Sequence, residues 1–208
     1  MARRLTRSER QAETRVALLA ASARVFARRG YDAASVAEIA DEAGYSHGAV
    51  YSNFEGKEDL FLALYEEWVA KRVAEIEATF SREETLAGRV RAAVDDWLGR
   101  LATDPEAFLL RLEFTARAAR DPKLRRKLET RVGAVPLAIR RLVEEGAEAE
   151  GVELPVAAED LALALQAVSL GLALEALGNP AAVRPGVGGD IAALLTERLA
   201  ERGREASR

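Results

Sequence analysis

Between Ser35 and Phe54 the sequence reads SVAEIADEAGYSHGAVYSNF, and its reactive side chains are hydrogen-bonding groups, not nucleophiles or metal ligands. Ser46, His47 and Ser52 supply donors and acceptors beside Gly48, which adds no bulk. Small and short polar residues at a helix start let that helix approach base edges in a major groove. Tyr51 and Lys57 then bring a phenol and an ammonium to positions suited to phosphate oxygens, groups that set register on a duplex without reading its sequence. Other chemistry is poorly supplied. The chain has one histidine and no cysteine, which excludes paired-histidine metal sites, thiolate sites and cysteine nucleophiles, and no cofactor or metal is expected. GxGxxG and GxxxxGK[ST] are absent from the sequence. Asp95-Asp96, Glu66-Glu67 and Glu144-Glu145 point about 100° apart on a helix, so they read as solvated surface instead of catalytic pairs.

Two short helices must position those groups. Ser35 and Glu38 form a capping box, so a helix is expected from Val36, with Val36, Ile39, Ala40 and Ala43 along one face. Gly44 ends it with a left-handed residue. Ser46 caps a second helix, which keeps Ala49, Val50 and Phe54 inward and leaves His47, Gly48, Tyr51, Ser52 and Asn53 outward. Two helices this short around a glycine-containing turn read as a helix-turn-helix.

The pattern G-Y…S-V-x-x-I-A-x-x-A-G-Y-S-x-G-x-V-Y-x-x-F-x-x-K-x-x-L, from Gly30 to Leu60, resembles the signature of the TetR (tetracycline-repressor-like) family of bacterial transcription regulators. The resemblance covers about the first 60 residues; beyond them it is one of architecture. It implies DNA contacts from Ser35, Tyr45, Ser46, His47, Gly48, Tyr51, Ser52, Asn53 and Lys57. Most members carry Lys or Arg where this chain has His47, directly after the serine of the second helix. It also implies a homodimer formed by the last two helices, and release from DNA by a small-molecule effector.

The chain has 208 residues and a net charge of −4. Residues 1–30 hold eight arginines against Glu9 and Glu13, a local balance of +6 that leaves −10 for the remainder. An arginine-rich start on an acidic body is expected when one end alone meets a polyanion. Basic residues before VALLAASA mimic a short secretory signal. Against that, Val16, Leu19, Ala20, Ala23, Phe26 and Ala27 continue one helical face through the supposed cleavage point, and Arg28-Arg29-Gly30 reads as a helix C-terminus. A cysteine-free chain also fits a reducing cytoplasm.

From Lys57 long helices follow, at about 57–80, 86–102, 105–119 and 122–145, the last with a kink at Pro136. Breaks fall at Ser81–Thr85, at Thr103-Asp104-Pro105 and at Asp121-Pro122. Gly146–Pro155 reads as loop. Leu161–Leu174 is apolar all round, and its fourteen residues are too few to span a bilayer, so burial in protein is expected and no membrane partner. Asn179–Gly189 reads as a flexible connection before a last helix at about 190–203. Trp68, Trp97, Phe108 and Phe114, with Gln166 as a polar member, are candidate walls of a cavity for a largely apolar effector.

The expected architecture is therefore all-α, with about nine helices. Residues 1–56 form a three-helix DNA-binding domain, and residues 57–208 a larger domain for ligand binding and dimerisation. The expected function is a ligand-responsive transcription regulator, a repressor on a palindromic operator. The competing readings are a helical small-molecule-binding protein or enzyme that does not bind DNA, and a DNA binder that senses no ligand.

Overall fold

The computed structural model describes residues 6–80, 83–103, 105–132 and 134–206. Arg3, Arg4, Ser81 and Asp104, each part of an expectation above, lie outside them. The described residues form ten α-helices and one 3-10 turn, without a strand. The helices are α1 Arg7–Ala33, α2 Val36–Ala43, α3 His47–Tyr51, α4 Lys57–Phe80, α5 Leu86–Thr103, α6 Glu106–Ala118, α7 Pro122–Val132, α8 Ala134–Ala149, α9 Ala158–Gly178 and α10 Val187–Ala206.

The helix-turn-helix forms as the capping residues dictate. Ser35 and Glu38 complete their capping box at α2, Gly44 takes φ 71°, and the Ser46 side chain accepts from the Ala49 N–H. α1 departs from its expected face. Leu18, Leu19, Val25 and Phe26 are buried, whereas Val16 is 65% exposed and Ala20 lies at the surface. The buried stripe passes through Ser22, whose hydroxyl donates to the Leu19 carbonyl and so loses nothing by burial. α1 changes direction at Gly30, where φ is 72°, a left-handed value natural to glycine.

The chain divides into two compact bodies, and the division differs from the expected boundary at residue 56. One body is the chain up to Trp68 together with Glu106–Val132; the other is Val69–Pro105 with the chain from Gly133 onward. α6 and α7 thus pack with the first four helices. The reason is aromatic. The Phe114 ring stacks on Phe61 at 3.9 Å and meets Tyr31 edge-on at 5.3 Å, and Phe61 reaches Phe26 at 5.6 Å. Each such pair contributes about 0.5–1.5 kcal/mol beyond its burial.

The helix expected at 122–145 is seen as α7 in the first body and α8 in the second, on either side of residue 133. Pro136 lies within α8, close to its first described residue, Ala134. Gly146 is helical, not loop, because α8 continues to Ala149. A Cβ at Gly146 would lie 2.7 Å from Leu86 Cδ1, so the missing side chain is what lets α5 and α8 meet. α10 likewise begins at Val187 instead of residue 190, with Gly188 and Gly189 buried against α5. α9 has 21 residues and is long and apolar enough to cross a membrane by length and composition, which corrects the shorter span read from the sequence. It packs on α8, α10 and α5, with Leu161, Leu165 and Ala173 inward, and burial on every side does not occur within one chain.

Candidate nucleic-acid interface

α3 has only five residues, and its inner side is simple: Val50 is fully buried and Phe54, just beyond the helix, is 3% exposed. Tyr45, Ser46, His47, Gly48, Tyr51 and Ser52 are all exposed. The first-turn N–H groups of His47 and Gly48 have no acceptor within their own helix, because the preceding turn does not exist. A Cβ built on Gly48 meets nothing closer than Ser46 Oγ at 3.7 Å. Packing therefore gives no reason for glycine at this position, whereas close approach of a ligand does. Tyr51 is 61% exposed and Tyr45 38%, so both rings point away from the core.

Other expected contacts are partly engaged within the chain. The Ser35 hydroxyl accepts from the Glu38 N–H and donates to its carboxylate. Ser52 Oγ and Asn53 Nδ2 both donate to the Ala49 carbonyl, at 2.9 and 2.8 Å, closing the C-terminus of α3. These three residues shape helix ends and keep acceptor capacity outward.

Lys57 is a correction. Its Nζ donates to the carbonyls of Tyr31, Asp32 and Ala34 at 2.8, 3.0 and 2.9 Å, and lies 4.7 Å from the Tyr31 ring centroid. An ammonium has three donors, and all three are taken. Lys57 fixes the end of α1 and has no donor left for a phosphate.

The arginines need the same sorting. Arg24 and Arg28 pair with Glu42 at 2.8 Å, and Arg29 pairs with Glu38 at 3.0 Å, tying α1 to α2. Those hydrogen bonds hold both carboxyls below the usual glutamate range, Arg29 acting on Glu38 and Arg24 with Arg28 on Glu42. Arg15 donates from Nη1 to the Asn53 carbonyl at 2.9 Å, with its guanidinium 4.2 Å from the Phe54 ring centroid. Half of the N-terminal arginines therefore brace the fold. Arg7 and Arg10 are exposed, with no acidic partner among the described residues.

Sequence reading missed a second brace. The Tyr31 N–H donates to Glu113 Oε2 at 2.8 Å, and a Cβ on Gly30 would sit 2.8 Å from the same carboxylate. Arg117 pairs with Asp32, and Lys127 pairs with Glu58 at 2.7 Å. α6 and α7 thereby hold both the bend in α1 and the start of α4. Partners 82 residues apart in the case of Tyr31 and Glu113 leave no local pattern to read.

The five expected cavity residues are divided between the two bodies. Trp68, Phe108 and Phe114 belong to the first body, and Phe114 is 1% exposed within the aromatic cluster. Trp97 and Gln166 belong to the second. A cavity of about 430 Å³ in the second body is lined by none of the five.

Comparison with known proteins follows the same outline. Residues 18–64 match the family model for bacterial regulatory proteins of the tetR family, and residues 86–201, more than half of the chain, match the C-terminal model of BetI-type transcriptional repressors. The HTH-type transcriptional activator FasR of Mycolicibacterium smegmatis is 34% identical over 110 residues, 53% of this chain and 48% of FasR. The HTH-type transcriptional repressor AcnR of Corynebacterium efficiens is 29% identical over 152 residues, 73% of this chain and 75% of AcnR. The chain spans about half the length of the first curated relatives it matches. A transcriptional regulator from Rhodococcus sp. Rha1 superposes with a TM-score of 0.65 at 26% identity, over 90% of this chain and 96% of that one.

Proposed function

The chain belongs to the TetR family of bacterial regulatory proteins, and from that membership we propose a ligand-responsive transcription regulator. It acts as a repressor, binds a palindromic operator as a homodimer in the cytoplasm, and is released by a small, largely apolar effector. The observation that carries this reading is the open N-terminal turn of α3, where exposed His47 flanks a glycine that packing does not require. His47 reads a base edge; Tyr45 and Tyr51 meet phosphates; Ser35, Ser46, Ser52 and Asn53 set the ends of the two helices against the backbone.

Dimerisation is supported by what a single chain leaves uncovered. Leu163 and Leu174 on α9 are 64% and 46% exposed, and Leu194 and Leu195 on α10 are 54% and 41% exposed. Patches of this kind rimmed by polar residues mark protein interfaces. Leu194→Glu should convert the dimer to monomer, because a charge buried without a partner destabilises an association by about 3–5 kcal/mol; sedimentation velocity reads the outcome, and an unchanged dimer places the interface elsewhere. Leu172 is a poorer site for such a change, since its side chain faces Gly188 within the chain.

Two recognition helices related by a two-fold axis enter successive major grooves about 34 Å apart. Effector binding in the second body reaches them through α4, which continues from one body into the other. Typical couplings of about 1–3 kcal/mol fall short of the roughly 5.5 kcal/mol that full switching needs, so release is graded.

The direct experiment is selection of duplex sites from a random pool by the purified dimer. A two-fold symmetric site with half-sites about one turn apart is expected. Gly48→Leu should abolish selection while leaving thermal stability unchanged or slightly higher, because leucine is the better helix former by about 0.8 kcal/mol. Recovery of the same operator by Gly48→Leu removes α3 from the interface.

A further inference from the structure

We propose that the cavity between the C-terminal half of α5 and the 179–186 connection binds a compact, uncharged, largely apolar molecule. It gives the effector a seat, and it rests on the regulator reading for its biological meaning but not for its chemistry. At about 430 Å³ the space has the size of a small-molecule site. Its walls include Leu98, Leu101 and Leu177, and Pro105, Pro180 and Pro185. Three of the protein's six prolines therefore surround one cavity. Prolines have fixed φ and lose little freedom when a ligand arrives, so the wall is organised before binding. The side chain of Asn179 adds to this, accepting from the Ala181 N–H at 3.2 Å and holding the short turn that carries Pro180.

The charges around the cavity decide the ligand's class. Asp95 and Arg184 are the charged residues lining it. Asp95 Oδ1 accepts from the Gly189 N–H at 3.0 Å, and Asp95 stands 4.0 Å from Arg91. Arg184 pairs with Asp190 at 2.8 Å, and Arg91 reaches the same carboxylate at 2.6 Å. Two arginines thus face two aspartates, and no surplus charge is left to attract an ion. A charged ligand would have to break one of these pairs, whereas an uncharged apolar one displaces only water.

The cavity can be filled without harming the fold. Gly99 lines it from within α5, and a Cβ there meets nothing within 4 Å. Gly99→Phe inserts a ring into the space and also replaces a poor helix former; exposed Ala102, which lines the cavity too, gives a second such variant, Ala102→Phe. The probe is 1-aminoanthracene, uncharged at neutral pH, followed by its fluorescence as it is titrated with the full-length dimer. The parent should bind one probe per chain, and both variants should lose at least ten-fold in affinity with unchanged helical content and melting temperature. Absence of saturable binding by the parent, as when a partner chain fills the space, overturns the proposal, and so does equal binding by the two folded variants. Operator binding is measured separately on the same preparations: its absence sinks the regulator reading alone, while failure with the probe sinks the cavity alone.

Discussion

Lys57→Met is expected to destabilise the first body by about 2–4 kcal/mol, below the sum of three charge-assisted hydrogen bonds because the side chain is half-exposed. Methionine keeps the length of the stem and removes the donors, so the carbonyls of Tyr31, Asp32 and Ala34 lose the one group that gathers them. The end of α1 then frays, and operator affinity falls with it. The slope of log K against log salt should stay as in the parent, since no phosphate contact has been removed. A lysine on a phosphate gives the opposite pair of results: a slope reduced by about 0.9 and an unchanged melting temperature. Thermal melts and binding titrations at four or five salt concentrations separate the two roles.

The second large effect lies in the other body. Changing both Gly188 and Gly189 to alanine should lower stability by about 2–5 kcal/mol and shift the protein toward monomer. Local preference runs the other way, because alanine in a helix is favoured over glycine by about 1 kcal/mol per site. Packing reverses the sign. A Cβ on Gly188 overlaps Leu98 Cδ1, and one on Gly189 overlaps the Asp95 carboxylate that receives the Gly189 N–H. α10 must back away from α5, taking Leu194 and Leu195 with it. A double variant that melts above the parent shows that the two helices are not in close contact. Differential scanning calorimetry combined with sedimentation velocity reports both quantities.

These glycines show why part of the fold was legible in the sequence and part was not. Gly44 announces itself, since a capping box, one apolar face and a left-handed terminator lie within ten residues. Gly188 and Gly189 look like the flexible connection they were expected to be, because their justification is a pair of side chains some 90 residues earlier in the chain. The face of α3 was readable because its residues act toward solvent, leaving no internal partner to be guessed. Lys57 was not, because its three acceptors come from a helix end 23 to 26 residues away. Phe114 and Trp68 serve the aromatic cluster of the first body, whereas the space found is walled by leucines and prolines.

The pairing of Arg24, Arg28 and Arg29 with Glu42 and Glu38 bears on how the protein finds its target inside a cell. A reader studded with loose cations would be held by bulk chromosome, and most copies would idle on irrelevant sequence. Here the cations that stiffen the scaffold are already neutralised, so idle holding rests on a small remainder that includes Arg7 and Arg10. On the proposed reading, a modest number of molecules would keep a single site occupied, with discrimination expected from hydrogen bonds at base edges instead of from charge.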